Sequence, residues 1–118
     1  MSDIDRLPHR FAGRVPGIAH GGLAYVAAVD YKLAPTMTEQ AKNVFARLDS
    51  LLTDLGSDRT RIINATIHLS DMGLKAEFDA AWADWIGADP SGWPLRTCVG
   101  GALASTCMVE IMLVAAQG

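Results

Sequence analysis

Two charged residues stand in the last quarter of the chain where apolar, strand-forming residues dominate. Arg96 opens the segment Pro94-Leu95-Arg96-Thr97-Cys98-Val99, and Glu110 lies within Met108-Val109-Glu110-Ile111. Arg and Glu are almost never fully buried unless paired or used, so a charge in an apolar strand requires a cause. A planar guanidinium meets a carboxylate with two parallel charge-assisted bonds and always stays charged. A carboxylate can deliver a water while managing its proton. If the two segments pair as neighbours, both side chains serve one pocket, a fixed cation beside a carboxylate. The structural alternative is that Arg96 forms an interface ion pair and Glu110 is its partner.

The other chemistry-bearing residues carry weaker signals. Cys98 and Cys107 have neither CxxC spacing nor a nearby His pair, so they read as buried thiols with no metal site. His20 and His68 read as surface or interface histidines, and Asp71 as a turn residue ending a strand. Trp93, next to Pro94, either shapes a pocket mouth or packs at its rim.

Composition bounds what these residues can do. The 118 residues are half hydrophobic and 19% charged, with a net charge of −3. Such a length supports a single core, so residues 1–118 are read as one domain. The acidic balance argues against unaided binding to nucleic acid or an anionic membrane, which needs concentrated Lys and Arg. No apolar run approaches the about 20 residues of a membrane span. The start, Met-Ser-Asp-Ile-Asp, lacks the basic-then-apolar order of a secretion signal, and the expected location is the cytoplasm.

The elements that must position these residues follow from periodicity. Residues 1–22 read as a partly ordered arm with one short strand, and Leu23–Val29 as a buried strand. Thr36 and Glu39 have capping-box spacing before a helix whose apolar face is Ala41, Val44, Phe45, Leu48, Leu51, Leu52 and Leu55, with Gly56 as the stop. Ile62–Leu69 alternates as a strand, with Ile63, Ala65, Ile67 and Leu69 on one face. A second helix buries Phe78, Ala81, Trp82, Trp85 and Ile86, and Asp89-Pro90-Ser91-Gly92 breaks the chain. Strands follow near 95–101 and 107–116. Two helices cover one face of a mixed sheet, yet Leu23–Val29 and residues 107–116 are apolar on both faces. An apolar face left bare exceeds what soluble monomers tolerate, so an oligomer with packed sheets is expected.

The chain resembles the RidA/YjgF family, the reactive-intermediate deaminases also labelled translation inhibitor or L-PSP endoribonuclease. The resemblance runs from Gly17-Ile18-Ala19-His20-Gly21-Gly22-Leu23-Ala24-Tyr25-Val26 through Leu55-Gly56 and Ile62–Met72 to the Arg96 and Glu110 motifs. It implies a chorismate-mutase-like (ferredoxin-like) α+β fold, a homotrimer with clefts between subunits, and no metal or organic cofactor. It also implies hydrolysis of enamines or imines to a 2-oxo acid and ammonia. On this resemblance Arg96 grips the carboxylate of a small-molecule substrate, Glu110 positions and activates water, and the Cys98 backbone lines the pocket.

This chain also departs from the family pattern. Arg14 stands where competent members carry a tyrosine, Ala27-Ala28 replaces a Ser-Gly pair, and Asp79 replaces an asparagine. The segment 100–106 replaces a Leu-Pro turn, and the Arg96-to-Glu110 spacing (110 − 96 = 14) is one residue short. Arg14 with Asp79 suits a ligand bearing two acidic groups, or an amine together with a carboxylate. Three function classes follow: an imine or enamine deaminase, a non-catalytic small-molecule-binding or protein-protective trimer, and an endoribonuclease. The last needs a basic groove and a His or Lys acid–base pair, which the acidic balance and scattered histidines fit worst.

Overall fold

The computed structural model describes residues 3–118; residues 1 and 2 of the N-terminal arm lie outside the described residues. The chain runs through β1 (Asp5–Arg6), β2 (Gly17–His20), β3 (Leu23–Val29), α1 (Met37–Asp54), β4 (Ile62–Leu69), α2 (Lys75–Ile86), β5 (Leu95–Gly100) and β6 (Val109–Ala116). The arm therefore contributes two strands rather than one. The sheet order is β1-β2-β3-β6-β4-β5, with β4 and β5 parallel and every other pair antiparallel. This is a mixed α+β architecture with both helices on one face.

Local chemistry accounts for the helix ends. The Thr36 side chain accepts the Glu39 amide of α1 at 3.2 Å, the first half of the capping box. At the other end the Ser57 and Gly56 amides return to the Leu52 and Thr53 carbonyls, and Gly56 takes φ +76° without the steric penalty of a Cβ. The two helices meet through rings: Phe45 stacks on Trp85 with centroids 4.6 Å apart, and Trp82 lies edge-on to both. The Glu77 carboxylate accepts the amide and hydroxyl of Thr38, tying the start of α1 to α2.

Strict alternation divides the sheet. In β6, Val109, Ile111, Leu113 and Ala115 are fully buried beneath the helices, while Glu110 and Met112 face outward. β3 and β4 obey the same rule, with one correction. Ile63, expected in the buried set, is half exposed, and Ile62 takes the core position. The pairing of β4 with β6 slips between Ile62 and Asn64, so Ile63 is an inserted residue that shifts the alternation. The outer face carries exposed Tyr25, Met112, Leu95 and Val99, and among the described residues no element lies over them. Among the described residues no helix is long and apolar enough to cross a membrane.

One polar residue is fully buried within the apolar stripe of α1. Gln40 donates to the Ala34 and Thr106 carbonyls at 2.9 and 3.0 Å and accepts the Met108 amide at 2.8 Å. It fastens the chain before β6 to the first turn of α1. Replacing it by leucine strands these backbone groups, each costing about 1–3 kcal/mol when buried and unpaired. Gln40→Leu is expected to lower the urea midpoint markedly at unchanged m-value, measured by circular dichroism.

Candidate functional site

The structure separates the two charges that open the sequence argument. β5 and β6 are not neighbours, because β4 runs between them. Arg96 is level with buried Ala65 on the helix side of the sheet, whereas Glu110 is level with exposed His68 on the open side. The condition under which one pocket would hold both side chains is not met within one chain.

Arg96 belongs to a charged cluster on α2. Its guanidinium lies over the rings of Trp82 and Phe78, 5.1 and 5.5 Å from the centroids, and its Nη2 donates to Oδ1 of Asp79. The other oxygen of Asp79 accepts from Lys75 Nζ at 2.7 Å. Positions 75, 78, 79 and 82 recur at steps of three and four, so they share one side of the helix. Burial raises the Asp79 pKa, but the bonds from Lys75 and Arg96 outweigh it and hold the carboxyl below its ordinary range. Asp79 therefore offsets only part of the charge of Arg96 and Lys75, and the Arg96 side chain remains about one-fifth exposed at 21%.

Glu110 opens into a different environment. A cavity of about 460 Å³ lies where β3 runs into the loop after Val29, and both Arg14 and Ala27 share its lining with Glu110. Among the described residues the Glu110 carboxylate has no ion-pair partner. Cys107, on the same wall, has its thiol pKa pushed up by burial, with Glu110 and Asp30 adding repulsion, so it stays protonated. Cys98 sits apart on β5, partly buried against the core. Trp93 is exposed just ahead of β5, its indole donating to the Gly87 carbonyl at 2.8 Å. Among the described residues no group of three or more His, Cys, Asp or Glu is placed to hold a metal.

Two contributors to the cavity escape the sequence reading. Asp30 is 3% exposed and accepts the Lys32 and Ala34 amides, both at 2.9 Å, and the Asn43 side chain at 3.2 Å. An acid directly after an apolar strand is the signature of such an Asx turn. Arg10 is the second, its guanidinium 4.1 Å from the Tyr31 centroid.

A small α+β protein with an acid-bearing cavity on one side of its sheet and an arginine held on the other is the class that fold and site define. The chain belongs to the family described as endoribonuclease L-PSP, which matches residues 9–117. It is 34% identical over 99 residues to a RutC family protein of Haemophilus influenzae, covering 81% of this chain and 84% of that one. To the RutC family protein YoaB of Escherichia coli K12 it is 33% identical over 100 residues, covering 84% and 86%. A YjgF family member from Neisseria meningitidis superposes with a TM-score of 0.90 at 30% identity, covering 98% of this chain and 96% of that one.

The Asp30 turn has a pH signature. Burial raises its pKa, but the bonds from Ala34, Asn43 and Lys32 more than offset this, so it lies below the ordinary 3.8. A carboxyl with a depressed folded pKa stabilises the fold above its unfolded pKa, and that contribution fades as pH falls through the folded value. Wild type should therefore exceed Asp30→Asn in stability at about pH 6, with the gap narrowing toward about pH 3, measured by urea unfolding.

Proposed function

We propose that this protein is a cytoplasmic hydrolytic deaminase of enamine and imine intermediates, acting at clefts between the subunits of a homotrimer. The observation that carries the reading is the placement of Arg96 and Glu110 on opposite faces of the sheet. A site using both must draw them from two copies, and the uncovered apolar face supplies a reason for copies to associate. The roles given to the two residues are those that the family resemblance implies, and the family match spans both positions.

In this reading Arg96 of one copy holds the substrate carboxylate, and Glu110 of its neighbour orients a water and takes its proton. The water oxygen bonds to the imine carbon and the C=N pair moves to nitrogen. Glu110 returns that proton to the nitrogen, the new hydroxyl passes its own proton there as it becomes the carbonyl, and the C–N bond breaks, leaving a 2-oxo acid and ammonia. The chemistry calls for no metal or organic cofactor. The Cys98 backbone borders the carboxylate and Trp93 stands at the mouth of the cleft, while Arg14 lies on the Glu110 side.

One observation favours a second reading. Asp79 already occupies Arg96, which weakens its hold on an incoming carboxylate and suits a trimer that binds small molecules without turning them over. The family's description as an endoribonuclease is not carried over, because among the described residues lining the cavity around Glu110 there is no His or Lys to serve as an acid–base pair.

The test is a coupled assay in which an amino-acid oxidase generates 2-imino acids and their loss is followed. Arg96→Ala and Glu110→Gln should each lower the rate, the latter by about 10²–10⁴. Unfolding and reassembling the two variants together should restore about one quarter of wild-type activity, by random assortment of shared sites. No recovery would refute a site shared between copies. Binding that survives Glu110→Gln, with no turnover in the wild type, would favour the non-catalytic reading.

A further inference from the structure

The cavity around Glu110 holds cations that the hydrolysis does not use. Three guanidinium-bearing residues line it, Arg10, Arg14 and Arg47, against two carboxylates, Glu110 and Asp30. Asp30 is not available to them, since its oxygens are taken by the Lys32 and Ala34 amides and the Asn43 side chain. Among the described residues no ion pair joins Arg10, Arg14 or Arg47 to any carboxylate.

Aromatic rings fix where two of these charges stand. Arg10 lies 4.1 Å from the Tyr31 centroid and Arg14 lies 4.8 Å from the Phe11 centroid. The two rings pack against each other with centroids 5.6 Å apart. A guanidinium resting on a ring spends its face on the contact and keeps its N–H edge for a planar anion. One wall of the cavity thus presents two oriented cations with unspent donors. On the α2 side two cations, Lys75 and Arg96, share the single carboxylate of Asp79, so the cluster keeps a net positive charge that disfavours a ligand amine and leaves Arg96 capacity for a carboxylate. Of the two ligand types that Arg14 and Asp79 suggest together, the pairings select the one with two acidic groups.

We propose that the site takes dicarboxylic imines and enamines, in which one carboxylate meets Arg96 and a second, distal one meets the wall formed by Arg10 and Arg14. The inference rests on the deaminase reading for its chemistry and adds the substrate class. A cavity of about 460 Å³ is ample for a five-carbon diacid. Water adds to the imine carbon, the C=N pair and one water proton pass to nitrogen, and the C–N bond breaks as the new hydroxyl gives its proton to nitrogen and becomes the carbonyl. Ammonia leaves, a dicarboxylic 2-oxo acid remains, and nothing is oxidised or reduced. The distal carboxylate takes no part in bond making; it contributes binding and orientation.

The experiment compares two imines of equal chain length, generated in place by oxidases acting on glutamate and on norvaline. Wild type is measured beside the double variant Arg10→Gln/Arg14→Gln. The wild type should favour the acidic imine in kcat/KM by about 10- to 100-fold, the effect of charge-assisted bonds to one carboxylate. In the double variant that ratio should collapse toward unity. Equal kcat/KM for both imines in the wild type, or a ratio that the double variant leaves unchanged, overturns the proposal.

Should neither imine be turned over, the deaminase reading fails, and calorimetry judges the wall separately with 2-oxoglutarate and 2-oxopentanoate. Tighter binding of the diacid by wild type, lost in the double variant, sustains the wall. Equal binding of the two acids refutes it.

Discussion

β6 runs between β3 and β4, and its alternation decides what every other part of the molecule can do. Val109, Ile111, Leu113 and Ala115 enter the core, so Glu110 and Met112 must face away from the helices. A slip of one residue would bury the carboxylate and expose the core set, which is why the register is held firmly. The same period of two, carried through β4 to β5, sends Arg96 to the helix side. The separation of the two charges is a consequence of strand geometry and not of any feature local to either residue.

Much of this was legible in the amino-acid order, and the parts that were not have identifiable causes. The α1 helix declared itself through Thr36, its apolar stripe and Gly56, because caps and periodicity are local properties. The stretch Ile62–Leu69 reads as a strand, yet Ile63 lies on the face opposite to the one its alternation predicts. A bulge depends on the partner strand, and nothing in the strand's own alternation announces it. The N-terminal arm shows two strands where its sequence suggests one for a similar reason: β1 is two residues long and exists only by pairing with β2.

The site was legible as residue types and not as a constellation. Arg96, Glu110, Arg14 and Asp79 were visible as charges in unusual company, but which of them meet is a matter of topology. The order of the strands sends Arg96 to Asp79 and Glu110 to the cavity of Arg14. Gln40 left a trace that was readable in retrospect, a polar residue three positions after Met37 on the buried side of α1. Asp30 and Arg10 act through a tight turn and a ring contact, which composition alone does not disclose.

The clamp at Gln40 engages the segment before β6 only through main-chain atoms, the Thr106 carbonyl and the Met108 amide. Leu103, Ala104 and Ser105, just ahead of it, form part of the cavity wall. Anchoring and lining are thus assigned to different atoms of one short stretch. Leu103 and Ala104 can be exchanged without loosening the anchor, since it uses only main-chain groups of Thr106 and Met108, whereas Ser105, at φ +54°, is more constrained. A wall that can drift while its fastening persists gives one scaffold a route to new ligands, with the sheet and its charges left in place.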